Sequence, residues 1–250
     1  MANIWTIAKR EYKLYFVSPA AYVVAFVILI VVGIFFYLNL SIASDPQQAG
    51  GYVPGGDVTL YPLATMLVLV IPAITTRLIS DEQRMGTIEL LLTAPVRDSE
   101  LVIGKWLGGL LLILTIVAVT LVYPLVLNQY VEPGIDQGPL VSGYLGIALM
   151  CASLVAIGVF VSSLFSNQVA SFVVTLGVMI FMWWVLGPIA QVLGPAASGS
   201  QIVGYLDFQA HFFDNLVRGV IDLADVVYFV SLTTLALFLS SVVVETRRWR

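Results

Sequence analysis

The sequence predicts an all-α polytopic membrane protein, and three observations carry that prediction. Apolar residues make up 60% of the 250-residue chain and charged residues only 10%, against about 25% charged residues in an ordinary soluble domain. The apolar residues gather into six runs, each close to the ~20 residues that a helix needs to cross a bilayer core. The charges collect in a few short intervals between those runs. Residues 1–250 are expected to form a single transmembrane domain.

Residues 1–17 are expected to form an amphipathic interfacial helix. Ile4, Trp5, Ile7, Ala8, Leu14 and Tyr15 interleave with Lys9, Arg10, Glu11 and Lys13. A basic helix with Trp and Tyr on its apolar side suits the headgroup layer. Ser18-Pro19 breaks it. The first apolar run is about 20 residues long, beyond the usual 7–15 of a signal peptide, so a retained span is expected rather than a cleaved leader.

Six spans follow, near 20–40, 60–79, 103–127, 144–165, 169–193 and 226–244. Only Ser166-Asn167-Gln168 separates the fourth from the fifth, which predicts a tight, uncharged turn between antiparallel helices. Pro62, Pro72, Pro124 and Gly187-Pro188 lie inside spans, where proline removes a backbone bond and permits a kink. Gly104-x-x-x-Gly108 would allow another helix to approach the third span closely.

The interval 80–105 reads SDEQRMGTIELLLTAPVRDSELVIGK, a polar stretch between two membrane-length runs. Ser80 with Gln83 fits a capping box, and Asp81 and Glu82 suit a helix's first turn. Gly86 interrupts, Thr87 can cap a second short helix, and Pro95 ends it. The expectation is a short helical hairpin over 80–98, too charged to enter hydrocarbon.

Lys and Arg orient the chain. Lys9, Arg10 and Lys13 precede the first span, Arg77, Arg84, Arg97 and Lys105 flank the second-to-third connection, and Arg247, Arg248 and Arg250 close the chain. Six spans put all three groups on one side and leave only Arg218 on the other. Both termini are therefore expected in the cytoplasm, with the chain in the cytoplasmic (inner) membrane. The outer connections at 42–59 and 128–142 look irregular. The segment 194–225 differs: after a Gly/Ser/Pro turn, Phe208, Phe212, Leu216 and Val220 recur at helical spacing, with Asp207, His211, Asp214 and Arg218 between them. An outer re-entrant or interfacial helix before span 6 is expected, with Arg218 paired locally to Asp214 and Asp222.

Catalytic and metal chemistry finds little support. Cys151 is the lone cysteine and reads as a small buried thiol. His211, the lone histidine, has no Cys or second His to complete a metal site. No G-x-x-x-x-G-K-[ST] phosphate loop, H-E-x-x-H or G-x-S-x-G occurs. Ser162, Ser163 and Ser166 have no His or Lys placed to activate them and read as backbone-bonded or packing residues. No ionisable residue lies deep in a span, which argues against a proton- or sodium-driven carrier. A nucleic-acid partner is not expected.

At 80–105 the sequence resembles the ABC-2 type transporter permeases. The pattern E-x-x-x-G-T-x-E-x-L-L-x-x-P is carried by Glu82, Gly86, Thr87, Glu89, Leu91, Leu92 and Pro95, followed by Gly104-Lys105. The opening KREYKLYFVSPAAY resembles the family's amphipathic connecting helix. The stretch HFFDNLVRGVIDLADVVYF, with ETRRWR at the end, resembles a branch that includes the gliding-motility-associated permeases.

The resemblance implies the transmembrane subunit of an exporter, not an enzyme by itself, that pairs with a second permease chain as a homo- or heterodimer. Each permease would seat a separate cytoplasmic ABC ATPase subunit, which holds the ATP and Mg; this chain itself would bind no cofactor. It implies that 80–98 is a coupling hairpin, with Glu82, Arg84, Gly86, Thr87, Glu89, Leu92 and Pro95 contacting the ATPase or shaping the hairpin. It also implies an outer gate at Phe208, Phe212, Leu216 and Arg218. The competing readings are a membrane scaffold that moves nothing and an intramembrane enzyme.

Overall fold

The structure is a computed structural model that describes residues 2–45, 50, 54–84, 97–132, 134–194 and 198–248. Among the described residues the regular elements are helices. They are α1 (Ala2–Val17), α2 (Pro19–Ser44), α3 (Asp57–Arg84), α4 (Asp98–Thr120), α5 (Val122–Tyr130), α6 (Gln137–Leu164), α7 (Gln168–Ile180), α8 (Leu186–Leu193), α9 (Ser198–Tyr205), α10 (Phe208–Phe213) and α11 (Leu223–Arg248). A π-helical turn at Phe181–Val185 joins α7 to α8, and a 3-10 turn at Leu216–Arg218 precedes α11.

Six stretches of these residues are long and apolar enough to cross a membrane: Ala21–Ser44, Asp57–Ser80, Asp98–Tyr130, Gln137–Leu164, Gln168–Leu193 and Leu223–Thr246. The chain is a multi-pass helical membrane protein. Its centre is α6, whose most apolar window is 72% buried, against 22% for α2 and for α11. Met150, Cys151, Leu154 and Val155 of α6 pack in one core with Leu63, Leu67 and Ile71 of α3 and Phe229 of α11. Trp106 of α4 donates its indole N–H to the Ala152 carbonyl at 2.9 Å. The exposed apolar side chains of α2, such as Phe26, Ile30 and Tyr37, suit a hydrocarbon solvent.

Proline shapes two spans as the sequence suggests. The third breaks at Leu121, where Pro124 cannot donate to the Thr120 carbonyl one turn earlier. In the fifth, the π turn lies just before Gly187-Pro188, and the Leu186 N–H reaches back to the Phe181 carbonyl. The turn after α6 also forms as expected: Asn167 accepts from the Val169 and Ala170 amides at 2.9 and 3.4 Å and starts α7.

Three expectations are corrected. Ser80 does not start a helix, because α3 runs on to Arg84 and the Ser80 hydroxyl donates back to the Thr76 carbonyl. Asp98 opens α4, and most of the hairpin expected over 80–98 lies outside the described residues. The loop expected at 128–142 narrows to 131–136, because α5 reaches Tyr130 and Asp136 caps α6 through the Gly138 amide at 2.9 Å. The helical spacing over 207–220 breaks up after Phe213, and Val220 is exposed.

Candidate functional site

Two polar assemblies stand at opposite ends of the bundle. The first surrounds the chain segment that links the second span to the third. Ser162, near the end of α6, sits against the last turns of α3. Its hydroxyl oxygen accepts from the Ile79 and Ser80 amides at 3.2 and 3.0 Å and donates to the Thr76 carbonyl at 3.2 Å. Ser163 donates to the Phe160 carbonyl. Both serines are thus backbone-bonded, as their sequence context predicts, and Ser162 clamps the helix that leads into 85–96.

On the other side of that connection, Arg97 starts α4 and its amide donates to the Glu100 carboxylate at 3.3 Å. Asp98 and Glu100 place negative charge at the positive end of the helix. Helix α1 runs alongside this first half of the third span in parallel register. Asn3 donates to Glu100 at 3.1 Å, Lys105 meets Glu11 at 3.1 Å, and the Tyr12 and Thr115 hydroxyls lie 3.0 Å apart. Gly104 and Gly108 make the approach possible. A Cβ on Gly104 would stand 2.8 Å from Ile7 Cβ, and one on Gly108 would stand 2.6 Å from Glu11 Cβ. The small-residue pair therefore serves α1.

Lys105, counted among the flanking charges that orient the chain, is buried: only 2% of its side chain is exposed. Of the residues expected to contact an ATPase, Glu82 and Arg84 fall in the last turn of α3, with side chains outside the described set. Gly86, Thr87, Glu89, Leu92 and Pro95 lie outside the described residues.

The second assembly folds back over the far end. Phe208, Phe212 and Leu216 are fully buried. Leu216 and Phe212 sit on Gly146 of α6, where a Cβ would come within 2.9 and 3.1 Å of them. The Ser142 hydroxyl donates to the Leu216 carbonyl at 2.7 Å. Phe212 and Phe213 meet Trp183 of the π turn, and Phe213 stacks on Tyr61 of α3. Phe208, Phe212 and Leu216, three of the expected gate residues, therefore belong to one buried apolar cluster. Arg218 does not join it: its side chain is 72% exposed and lies 3.8 Å from Asp214. Asp222 instead accepts from the Ala224 amide and starts α11.

Beside these apolar residues lies a polar cluster that the sequence pattern did not bring together. His211 Nδ1 is 2.6 Å from Asp225 Oδ1, and Nε2 is 2.9 Å from the Tyr205 carbonyl. Asn215 donates to Asp225 Oδ2 at 3.0 Å. The Tyr228 ring stacks on the imidazole at 4.0 Å, and its hydroxyl donates to the Leu206 carbonyl at 2.9 Å. Asp207 caps α10 through the Gln209 amide at 3.0 Å. Burial pushes the Asp207 carboxyl above the usual carboxylate range, with the Gln209 bond and the nearby His211 opposing the shift. The available signal was the lone histidine set among acidic residues in an otherwise apolar stretch.

Six membrane-length helices define a polytopic membrane protein. The family described as ABC-2 family transporter protein matches residues 5–247, and the chain belongs to that family. Membership makes it a membrane component of an ABC transporter, a class that works in the bilayer in association with an ABC ATPase. No curated protein matches the chain.

Proposed function

We propose that this chain is a permease subunit that exports a substrate across the cytoplasmic membrane, driven by ATP that a separate ATPase subunit hydrolyses. Two permease chains pair, identical or different, and each seats one ATPase that carries the ATP and Mg. The connection between α3 and α4 is the ATPase contact, with Glu82, Arg84, Gly86, Thr87, Glu89, Leu92 and Pro95 as its contacting or shape-giving residues. Both termini and this connection face the cytoplasm, on the strength of the Lys and Arg distribution. The terminal sequence resembles the gliding-motility-associated branch, and motility does not follow from that.

The observation that carries the reading is mechanical. The connection joins two helices that are each braced: α3 by Ser162 of α6, and α4 by α1 through Lys105–Glu11. Force applied between braced helices displaces the spans, as a flexible linker would not allow. The third span fits this placement. Its 33 residues are about 50 Å long at helical rise, against a hydrocarbon core of ~30 Å. The surplus leaves its α1-flanked start room in the headgroup layer, where the basic face of α1 is well placed. The Phe208–Phe212–Leu216 plug at the far end is the exit gate, and Arg218 lies at its rim.

The experiment has two stages. Purification from native membranes should bring down an ABC ATPase. In that complex Glu89→Lys should leave ATP hydrolysis running while transport stops. Normal transport by the variant would reject the contact assignment, and absence of any ATPase would reject the reading itself.

A further inference from the structure

We infer that His211 and Asp225 form a buried proton site that latches the outer segment to the start of α11, with His211 held as an imidazolium against an Asp225 carboxylate. The inference does not depend on what the protein exports.

The argument is one of donors and acceptors. Nε2 faces a backbone carbonyl at 2.9 Å, which can only accept. Nδ1 faces a carboxylate oxygen at 2.6 Å, and an ionised carboxylate also only accepts. A neutral imidazole has one N–H, so each neutral tautomer sets a ring lone pair against an acceptor lone pair. Two protons on the ring satisfy both contacts. Placing the second proton on Asp225 would satisfy them too, but an imidazole is intrinsically the more basic partner by about 2–3 pH units. Asn215 donates to the second carboxylate oxygen, Oδ2, at 3.0 Å, so both Asp225 oxygens act as acceptors.

The surroundings agree in sign. From α11 the imidazole is faced by Asp225 and the flat ring of Tyr228, which attracts a cation. From the end of α9 come the Tyr205 carbonyl and ring, and from its own helix comes Asp207, whose charge acts on His211. Two carboxylates and two tyrosines are thus the titratable groups around it. Asp225 is only 2% exposed and His211 9%; burial disfavours a lone charge on either group, so the two charges can stand only as a hydrogen-bonded pair.

The latch follows from what the bonds join. Tyr205 ends α9, His211 belongs to α10, Asn215 lies in the turn after it, and Asp225 opens α11. One proton therefore ties four consecutive pieces, and with them the Phe208–Phe212–Leu216 plug, to the sixth span. Loss of that proton leaves a lone pair against either Asp225 or the Tyr205 carbonyl and drives the pieces apart. Rising pH unlatches the segment.

The test uses the full chain in lipid nanodiscs. His211 is the one histidine in the sequence, so nitrogen-15-labelled histidine gives the two ring nitrogens of a single residue. Near neutral pH both should resonate as protonated nitrogens; one unprotonated nitrogen overturns the proposal. Asp225→Asn should abolish the doubly protonated signature and speed amide exchange over 208–218 roughly tenfold, the loss expected for a charged hydrogen bond. Unchanged exchange in that variant overturns the latch. Asp222→Asn removes a nearby charge that caps only Ala224, so it should change neither readout; an equal effect there also overturns the proposal. If Asp225→Asn does not fold, the natural chain is compared at neutral and alkaline pH. Loss of a ring proton must then coincide with faster exchange, after correction for the intrinsic pH dependence of amide exchange; exchange that stays constant overturns the latch.

Discussion

Lys105 Nζ lies 3.1 Å from Glu11 Oε1, a charged contact between the first helix of the chain and the third span. Both side chains are nearly out of water. Removing a single partner from such a pair is costly, whereas replacing both by apolar groups of similar volume is often neutral. Glu11→Gln should lower the unfolding free energy by about 3 kcal/mol. Glu11→Leu combined with Lys105→Met should recover most of that loss. Thermal unfolding of the natural chain, Glu11→Leu, Lys105→Met and the double variant in one detergent closes the cycle, and additive single effects would show that the two charges do not interact.

The Gly104 and Gly108 contacts make a steric prediction. Gly108→Val pushes a side chain into Glu11 and the Ala8 carbonyl, a rigid neighbourhood, and should cost about 1–3 kcal/mol. Limited proteolysis should then cut within Ala2–Val17 before any other helix. Gly177→Val is the control, because a Cβ at Gly177 meets nothing within 4 Å.

Ser162→Ala removes one acceptor shared by two amides and one donor to the Thr76 carbonyl. The expected loss is about 1 kcal/mol for each net bond. The change should be local, with faster hydrogen exchange at Ile79 and Ser80 and an unaltered far-end plug. Equal acceleration at both ends would contradict the separation of the two assemblies.

Asp207 fixes a pH dependence. Burial disfavours its charged form, so between the ordinary carboxylate range and its raised value the folded chain keeps a proton that the unfolded chain has released. Stability should therefore fall as pH rises through that window and return on acidification. Asp207→Asn retains the cap on α10 and should flatten this part of the profile. A profile unchanged by the substitution would remove Asp207 as its source.

The sequence carried the spans and their breaks because those depend on local chemistry. Asn167 turns the chain with its own side chain, and Pro124 breaks the third span because it lacks an N–H. Gly104 and Gly108 announced a close contact, though only the structure identified α1 as the visitor. Ser80 misled because its hydroxyl can cap a following helix or bond back within a preceding one, and the packing of α6 decides for the second. Lys105 and Glu11, 94 residues apart, carry no mark of their pairing in composition. His211 and Asp225 lie 14 residues apart across two changes of chain direction, which no helical period connects. Within the expected gate, Phe208, Phe212 and Leu216 were legible as apolar anchors, and Arg218 was not separable from them until its exposure was known.

The separation of Glu11 from Lys105 also bears on how the molecule is made. A ribosome adding about 5–20 residues per second delivers Lys105 several seconds after Glu11. During that interval two complete spans enter the bilayer while the first helix lacks its anchor. Helix α1 must therefore wait until the third span arrives with the glycine groove and the ammonium group that receive it. Substitutions that weaken this waiting state would reduce the yield of correctly inserted protein without altering the stability of molecules that complete assembly.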